Sequence, residues 1–225
     1  CLVNALYVFL LLALTVRRQF FLHVVIVHNW QIRMQEIILA SSSTSRRKEL
    51  GRLNIEFSVI PPQVDEDSIK HTETDHLQIS RKLALLKARN VSLLHPQAIV
   101  IGGDTVASFN RKLLSKPITM EKSFEQLRML AGKEHSLFTS IVIIAKGKEY
   151  IQSVTAIMKM RDLSDEQIHR YVEIDKPLHS CGSYKLDALG ISLFETIDCE
   201  DYTAIIGIPL IWTAGILTQI GVSVP

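Results

Sequence analysis

Four consecutive apolar residues, Ile37, Ile38, Leu39 and Ala40, run without a break into Ser41, Ser42, Ser43, Thr44 and Ser45, and then into Arg46, Arg47 and Lys48. An apolar run that does not alternate is the pattern of a strand covered on both faces, which favours a parallel sheet flanked by helices. The hydroxyl run that follows is a helix start, because Ser and Thr side chains satisfy the free N–H groups of a first helical turn. Strand, loop and helix N-terminus in that order commit the chain to an α/β arrangement. The loop itself has two readings. It is a capped helix with a solvated basic face, or an anion site where backbone N–H groups, hydroxyls and arginines receive a phosphate.

A second buried strand, Ala98-Ile99-Val100-Ile101, ends in Gly102-Gly103-Asp104-Thr105. Open α/β sheets bind their ligands beyond the carboxyl ends of strands, so Asp104 is either a ligand-site acid or the cap of a strand-end turn. Between these two stretches, residues 56–60 read as a further strand stopped by Pro61-Pro62, followed by a loop with Asp65, Glu66 and Asp67. Three adjacent acids are a solvated turn or, beside a phosphate, a place for Mg²⁺. Residues 74–94 keep helical spacing, and Lys87 falls inside the apolar stripe, four residues after Leu83, where it can reach inward.

Further on, Asn110-Arg111 reads as a hairpin turn, and Lys116-Pro117 brings a cation back beside the strand. Residues 121–131 form a helix closed by Gly132, and residues 136–145 and 150–160 are long strands joined at Lys146-Gly147-Lys148. Ser164 caps a helix over 165–174, residues 180–190 are a polar loop, and 191–194 a strand. Asp201 or Thr203 caps a final helical run broken by Gly207-Ile208-Pro209.

Composition narrows the function. The chain has 225 residues with a formal charge of +2, but Arg17, Arg18 and Arg33 lie in residues 1–33 with no acid. Removing those three from 25 basic residues leaves 22 against 23 acidic, or −1, which argues against a nucleic-acid partner held by a broad basic surface. Cys1, Cys181 and Cys199 form no CxxC pair and the eight histidines no zinc spacing, so a reduced, cytoplasmic protein is expected. Residues 1–33 are mostly apolar, yet their longest run, about 15 residues, falls short of the ~20 a spanning helix needs. The expectation is that 1–33 is an extension outside the native fold and 34–225 is one domain, for which no membrane contact is expected. A membrane anchor is the alternative and would change location rather than chemistry.

Seven stretches in order carry a resemblance: Leu39 to Ser43 with Arg46-Arg47, Val64-Asp65-Glu66, Lys87-Ala88, Gly103-Asp104-Thr105-Val106, Lys116-Pro117, Gly182-Ser183-Tyr184 and Ile206-Gly207-Ile208-Pro209-Leu210. Together they resemble the Maf family of nucleotide pyrophosphatases. The resemblance implies a mixed, curved β-sheet with flanking helices and two lobes around a nucleotide-binding cleft. It also implies a divalent metal, Mg or Mn, and hydrolysis of a nucleoside triphosphate to monophosphate and pyrophosphate. By position, Asp104 matches the proton acceptor and a metal ligand, and Glu66 a second acid near the metal. Ser41, Ser43 and Arg46 match the phosphate loop, and Lys87 and Lys116 match cations for the leaving pyrophosphate.

Residues 177–195 most resemble the branch that acts on 7-methyl-GTP, where the carboxylate of Asp187 would complement the positive charge of the methylated base. Thr105 resembles instead the dTTP/UTP branch, Ser45 is smaller than the residue expected before the arginines, and Ala188 replaces a usual glycine. Asp187, Thr105 and Ser45 are therefore the specificity positions. The competing class is a non-catalytic nucleotide-binding regulator of septum formation, but Asp104, Lys87 and Lys116 together are more than a binder needs. A homodimer is compatible with the reading.

Overall fold

In the computed structural model, residues 35–225 are described, and the expectation for residues 1–33 lies outside them. β1 (Ile37–Ala40) is buried at every position. It pairs in parallel with β2 (Ser58–Val59) on one side and β3 (Ile99–Phe109) on the other. β3 folds back through the Asn110-Arg111 turn, both residues at positive φ, into the short antiparallel β4 (Lys112–Leu114). On its far side β3 pairs antiparallel with β5 (Glu134–Ala145), β5 with β6 (Lys148–Met160), and β6 with β7 (Phe194–Asp198). The result is one open mixed sheet in the order β2-β1-β3-β5-β6-β7, with β4 on β3. The mixed α/β class expected from the sequence is what the chain adopts.

The helices are α1 (Thr44–Gly51), α2 (Glu66–Thr72), α3 (His76–Leu94), α4 (Met120–Leu130), α5 (Asp165–Asp175), α6 (Thr203–Ile206) and α7 (Leu210–Gln219). Ser43 caps α1 through its side chain, and Ser164 and Gln167 form a reciprocal capping box on α5. Among the described residues no helix is long and apolar enough to cross a membrane.

Apolar packing falls on both faces of one end of the sheet and again at its other end. Leu39, Leu50, Ile101, Ile141 and Leu217 pack on one face, and Ala84, Ala88, Val100 and Val142 on the other. The second core gathers Ala107, Leu127, Leu130, Met158 and Tyr171. Between these cores β3 and β5 carry a polar belt, with Thr105 opposite Thr139 and Asp104 opposite Ser140. Ser140 Oγ lies 2.8 Å from Ser80 Oγ and 2.9 Å from Ser153 Oγ, so the belt is satisfied internally.

Four local expectations are corrected. β3 does not stop at Gly102-Gly103, because β5 pairs with it from Val100 to Ser108; Asp104 stands in mid-strand. The strand expected over 56–60 shrinks to Ser58–Val59 on an exposed edge. Asp65, Glu66 and Asp67 are not a turn: Asp65 Oδ1 accepts from the N–H groups of Asp67 (3.1 Å) and Ser68 (3.2 Å) and starts α2. The strand placed at 191–194 begins only at Phe194, because residues 189–193 coil into a 3₁₀ turn closed onto the Lys185 carbonyl by the Gly190 N–H.

Candidate active site

The parallel pairing of β1 with β3 ends at Ala40 opposite Gly102, and the pairing of β4 begins at Leu114 opposite Ala107. Along that edge, no strand among the described residues neighbours residues 103–106 of β3. Successive side chains of a strand point to opposite faces, and only a free edge lets groups from both faces meet. Asp104 and Gly102 face α3, while Gly103 and Thr105 face α1 and α6. The Ser41 to Ser43 loop leaves β1 at the same gap.

On the first face, α3 comes so close that a Cβ on Gly102 would lie 2.7 Å from the Ala88 nitrogen and 2.8 Å from the Ala84 carbonyl oxygen. That approach carries the neighbouring Lys87 to the strand. Its Nζ donates to Asp104 Oδ1 at 2.6 Å and to Glu66 Oε1 at 2.7 Å, while Lys70 Nζ holds Glu66 Oε2 at 2.8 Å. Both Lys87 and Asp104 are buried. Partial burial would raise the Glu66 pKa, but the hydrogen bonds from Lys70 and Lys87 outweigh it and bring it down to about 2. An ammonium has three donors. Two of those on Lys87 are committed here, which leaves one for a phosphate oxygen.

On the second face, Arg46 is fixed by three acceptors. Its Nε donates to the Gly207 carbonyl (3.1 Å), one terminal nitrogen to Thr105 Oγ1 (3.1 Å) and the other, more weakly, to Ser41 Oγ (3.5 Å). Gly207 has φ +131°, and a Cβ there would stand 3.0 Å from Arg46 Cγ, so glycine is required both for the turn and for this contact. Burial lowers the Arg46 pKa, with Asp104 the main opposing charge; a guanidinium stays charged regardless. Ser43 caps α1 by accepting from the Arg46 N–H at 3.3 Å, and its own N–H donates to Ser41 Oγ at 3.2 Å.

The structure thus joins Ser41, Ser43, Arg46 and Thr105 in one group and Glu66, Lys87 and Asp104 in another. Ser45 and Asp187, distant in sequence, meet through a hydroxyl-to-carboxylate contact of 3.4 Å at the exposed rim. Lys116 is exposed and makes no ion pair with any described residue, but it stands close enough to influence Cys181. The sequence reading passed over Lys70, although its spacing of four from Glu66 on a helix is the signature of such a pair. Cys181, which in the sequence is only a cysteine outside any CxxC pair, stands in the same electrostatic surroundings. Burial raises that pKa first and Asp104 second, against Lys116, Lys70 and Arg46.

Among the described residues no group of three or more His, Cys, Asp or Glu side chains could cage a metal. The donors suit a hard divalent cation shared with substrate, since Mg²⁺ takes one or two carboxylates and completes its shell with phosphate and water. Asp104 has one oxygen on Lys87 and its other, Oδ2, takes no hydrogen bond from a described side chain.

Residues 36–220 match the model of the family described as Maf-like protein. A 7-methyl-GTP pyrophosphatase of Pseudomonas putida is 37% identical over 194 residues, covering 85% of this chain and 100% of the relative. Another of that name, from Bdellovibrio bacteriovorus, is 39% identical over 81% of this chain and 96% of its own. A nucleoside triphosphate pyrophosphatase of Acinetobacter baylyi is 36% identical over 85% and 98%.

Proposed function

The chain belongs to the Maf-like protein family, and from that premise we propose that it hydrolyses nucleoside triphosphates to the monophosphate and pyrophosphate, with 7-methyl-GTP the preferred substrate. The observation that carries the reading is the edge of β3 at residues 103–106, which no described strand covers. There the Asp104–Lys87–Glu66 chain from one face meets Arg46 and the hydroxyl loop from the other. Four cations, Arg46, Lys70, Lys87 and Lys116, surround two carboxylates, Glu66 and Asp104. That surplus of positive charge suits a polyphosphate and not a neutral ligand.

In the proposed reaction a water oxygen bonds to the α-phosphorus as its proton passes to Asp104. The bond from that phosphorus to the α–β bridging oxygen breaks, and pyrophosphate leaves with the electron pair. Lys87, turning its free donor to a phosphate oxygen, and Lys116, exposed and in no ion pair with a described residue, offset charge on the departing group. Arg46, Ser41 and the α1 N-terminus orient the phosphates. Asp104 Oδ2 and Glu66, with the phosphates, are the groups that would hold a divalent cation. When bound, it neutralises phosphate charge and makes the water more acidic.

For the base, Asp187 supplies a carboxylate to the cationic 7-methylguanine ring, and the small Ser45 leaves that carboxylate accessible at the rim. Thr105 has its hydroxyl committed to Arg46 and Thr139, away from base reading. The test is pyrophosphate release from 7-methyl-GTP, GTP, dTTP and UTP with Mg²⁺ or Mn²⁺. Faster turnover of 7-methyl-GTP is expected, with Asp104→Asn losing on the order of 10²–10⁴-fold in kcat while nucleotide still binds. No pyrophosphate from any triphosphate would overturn the activity, and a preference for dTTP or UTP would overturn the base assignment.

A further inference from the structure

Arg46 is held from two directions by one corner of the chain, the α6 helix and the turn after it. The direct hold is the Gly207 carbonyl at 3.1 Å. The indirect one runs through two threonines. Arg46 donates to Thr105 Oγ1 at 3.1 Å, Thr105 Oγ1 lies 3.1 Å from Thr139 Oγ1, and Thr139 Oγ1 donates to the Ala204 carbonyl at 2.8 Å. The direction of every bond is fixed by proton accounting. A guanidinium only donates and a carbonyl only accepts. Thr139 has a single hydroxyl proton and gives it to Ala204, so Thr105 must donate to Thr139. Thr105 and Thr139 are direct register partners in β3 and β5, which places both hydroxyls on the Arg46 face. Thr139 is only 2% exposed, too deep to touch a nucleotide.

We propose that Thr139 is a positioning residue for the phosphate site: it takes the Thr105 proton, leaves the Thr105 lone pairs facing Arg46, and so fixes the plane of the guanidinium. The proposal rests on the reading of Arg46 as a phosphate ligand. Without the Thr139 hydroxyl, Thr105 has a proton and no acceptor inside the belt. It then rotates, and Arg46 loses one of its two short acceptors. The Gly207 carbonyl and the longer contact to Ser41 Oγ then hold the guanidinium less firmly against rotation about Nε.

The experiment compares Thr139→Val, which keeps the shape and removes the hydroxyl, with Thr139→Ser, which keeps the hydroxyl, and with Thr105→Val, the double valine variant and Arg46→Ala. Pyrophosphate release from 7-methyl-GTP is followed over a range of substrate concentrations, beside thermal melting. Because hydrogen bonds to charged groups are worth a few kcal/mol at most, Thr139→Val is expected to lose about tenfold in kcat/KM. Thr139→Ser should recover most of it, and the double valine variant should lose no more than Thr105→Val alone, as members of one chain do. Additive losses, or a Thr139→Val enzyme with unaltered kcat/KM, would overturn the relay. Should Thr139→Val melt too low to assay, the comparison of Thr139→Ser with Thr105→Val decides: a serine enzyme as impaired as Thr105→Val would sink the proposal. An Arg46→Ala enzyme with full activity would instead overturn the phosphate-ligand reading beneath it.

Discussion

His135, on β5, is 3% exposed, and its Nε2 lies 2.7 Å from the Tyr184 hydroxyl. Its other nitrogen is buried without a partner among the described residues, and burial pulls the ring pKa down to about 4. Tyr184 in turn packs edge-on against Phe194 at 4.9 Å and anchors the segment that carries Asp187. A neutral histidine is therefore part of what holds the segment carrying Asp187 in place. Above pH 6.5 the ring is neutral in both folded and unfolded chains and has no effect on the pH dependence. As the pH falls from 6.5 toward 4 the unfolded chain takes up a proton that the folded chain refuses, so stability drops. The loss levels off below about 4 at roughly 3 kcal/mol, from 1.36 kcal/mol for each pKa unit. Urea unfolding of wild type and His135→Gln at several pH values checks this: the wild-type advantage should shrink across that window. A pH-independent gap would mean that His135 is not held neutral.

At the scale of elements, the contact between α3 and β3 decides whether Lys87 reaches Asp104. Gly102 makes that contact. In Gly102→Ala the new methyl meets backbone atoms of α3 at 2.7 and 2.8 Å, which no side-chain rotation relieves. The helix must retreat, at about 1–3 kcal/mol, and Lys87 retreats with it. The melting temperature and kcat should fall together. Gly51→Ala, with open space around its Cβ at the end of α1, is the control and should melt no lower than wild type. Gly102 also shows where local reading fails. Gly-Gly after four apolar residues has the signature of a turn, and nothing near it in sequence announces that residues 100–108 pair with β5. The glycines serve close approach instead: Gly102 to α3, and Gly103 to Arg46, whose Nε would be 3.2 Å from a Cβ. By contrast, β1, a helix cap within the 41–45 hydroxyl run, the Asn110-Arg111 hairpin and the inward reach of Lys87 were all legible, because each depends on residues within one or two turns of itself. The α2 helix was legible in principle, since Asp65 before two acids is a helix start; the preceding proline pair drew the reading toward a loop.

For the molecule as a whole, the candidate site lies where two apolar cores meet at a polar belt, and β3 and β5 run unbroken from one core to the other. That convergence is a product of topology. Motif order nominated candidate residues, but which faces of β3 they occupy, and that no described strand covers its edge at residues 103–106, follow only from strand pairing. Shared strands have a thermodynamic consequence, because neither core can lose its strands while the other keeps them, so the described domain should unfold in one step. Leu127 is fully buried in the core beyond the belt, while Trp212 packs against the other core. Leu127→Ala should cost about 2–5 kcal/mol through lost transfer energy and the cavity left behind. In a Trp30→Phe background, Trp212 fluorescence and far-UV circular dichroism should then report the same lowered urea midpoint. A Trp212 transition left at its original midpoint while circular dichroism shifts would show two independently stable halves. The polar belt would then be a hinge between the two cores and not a seam within a single cooperative sheet.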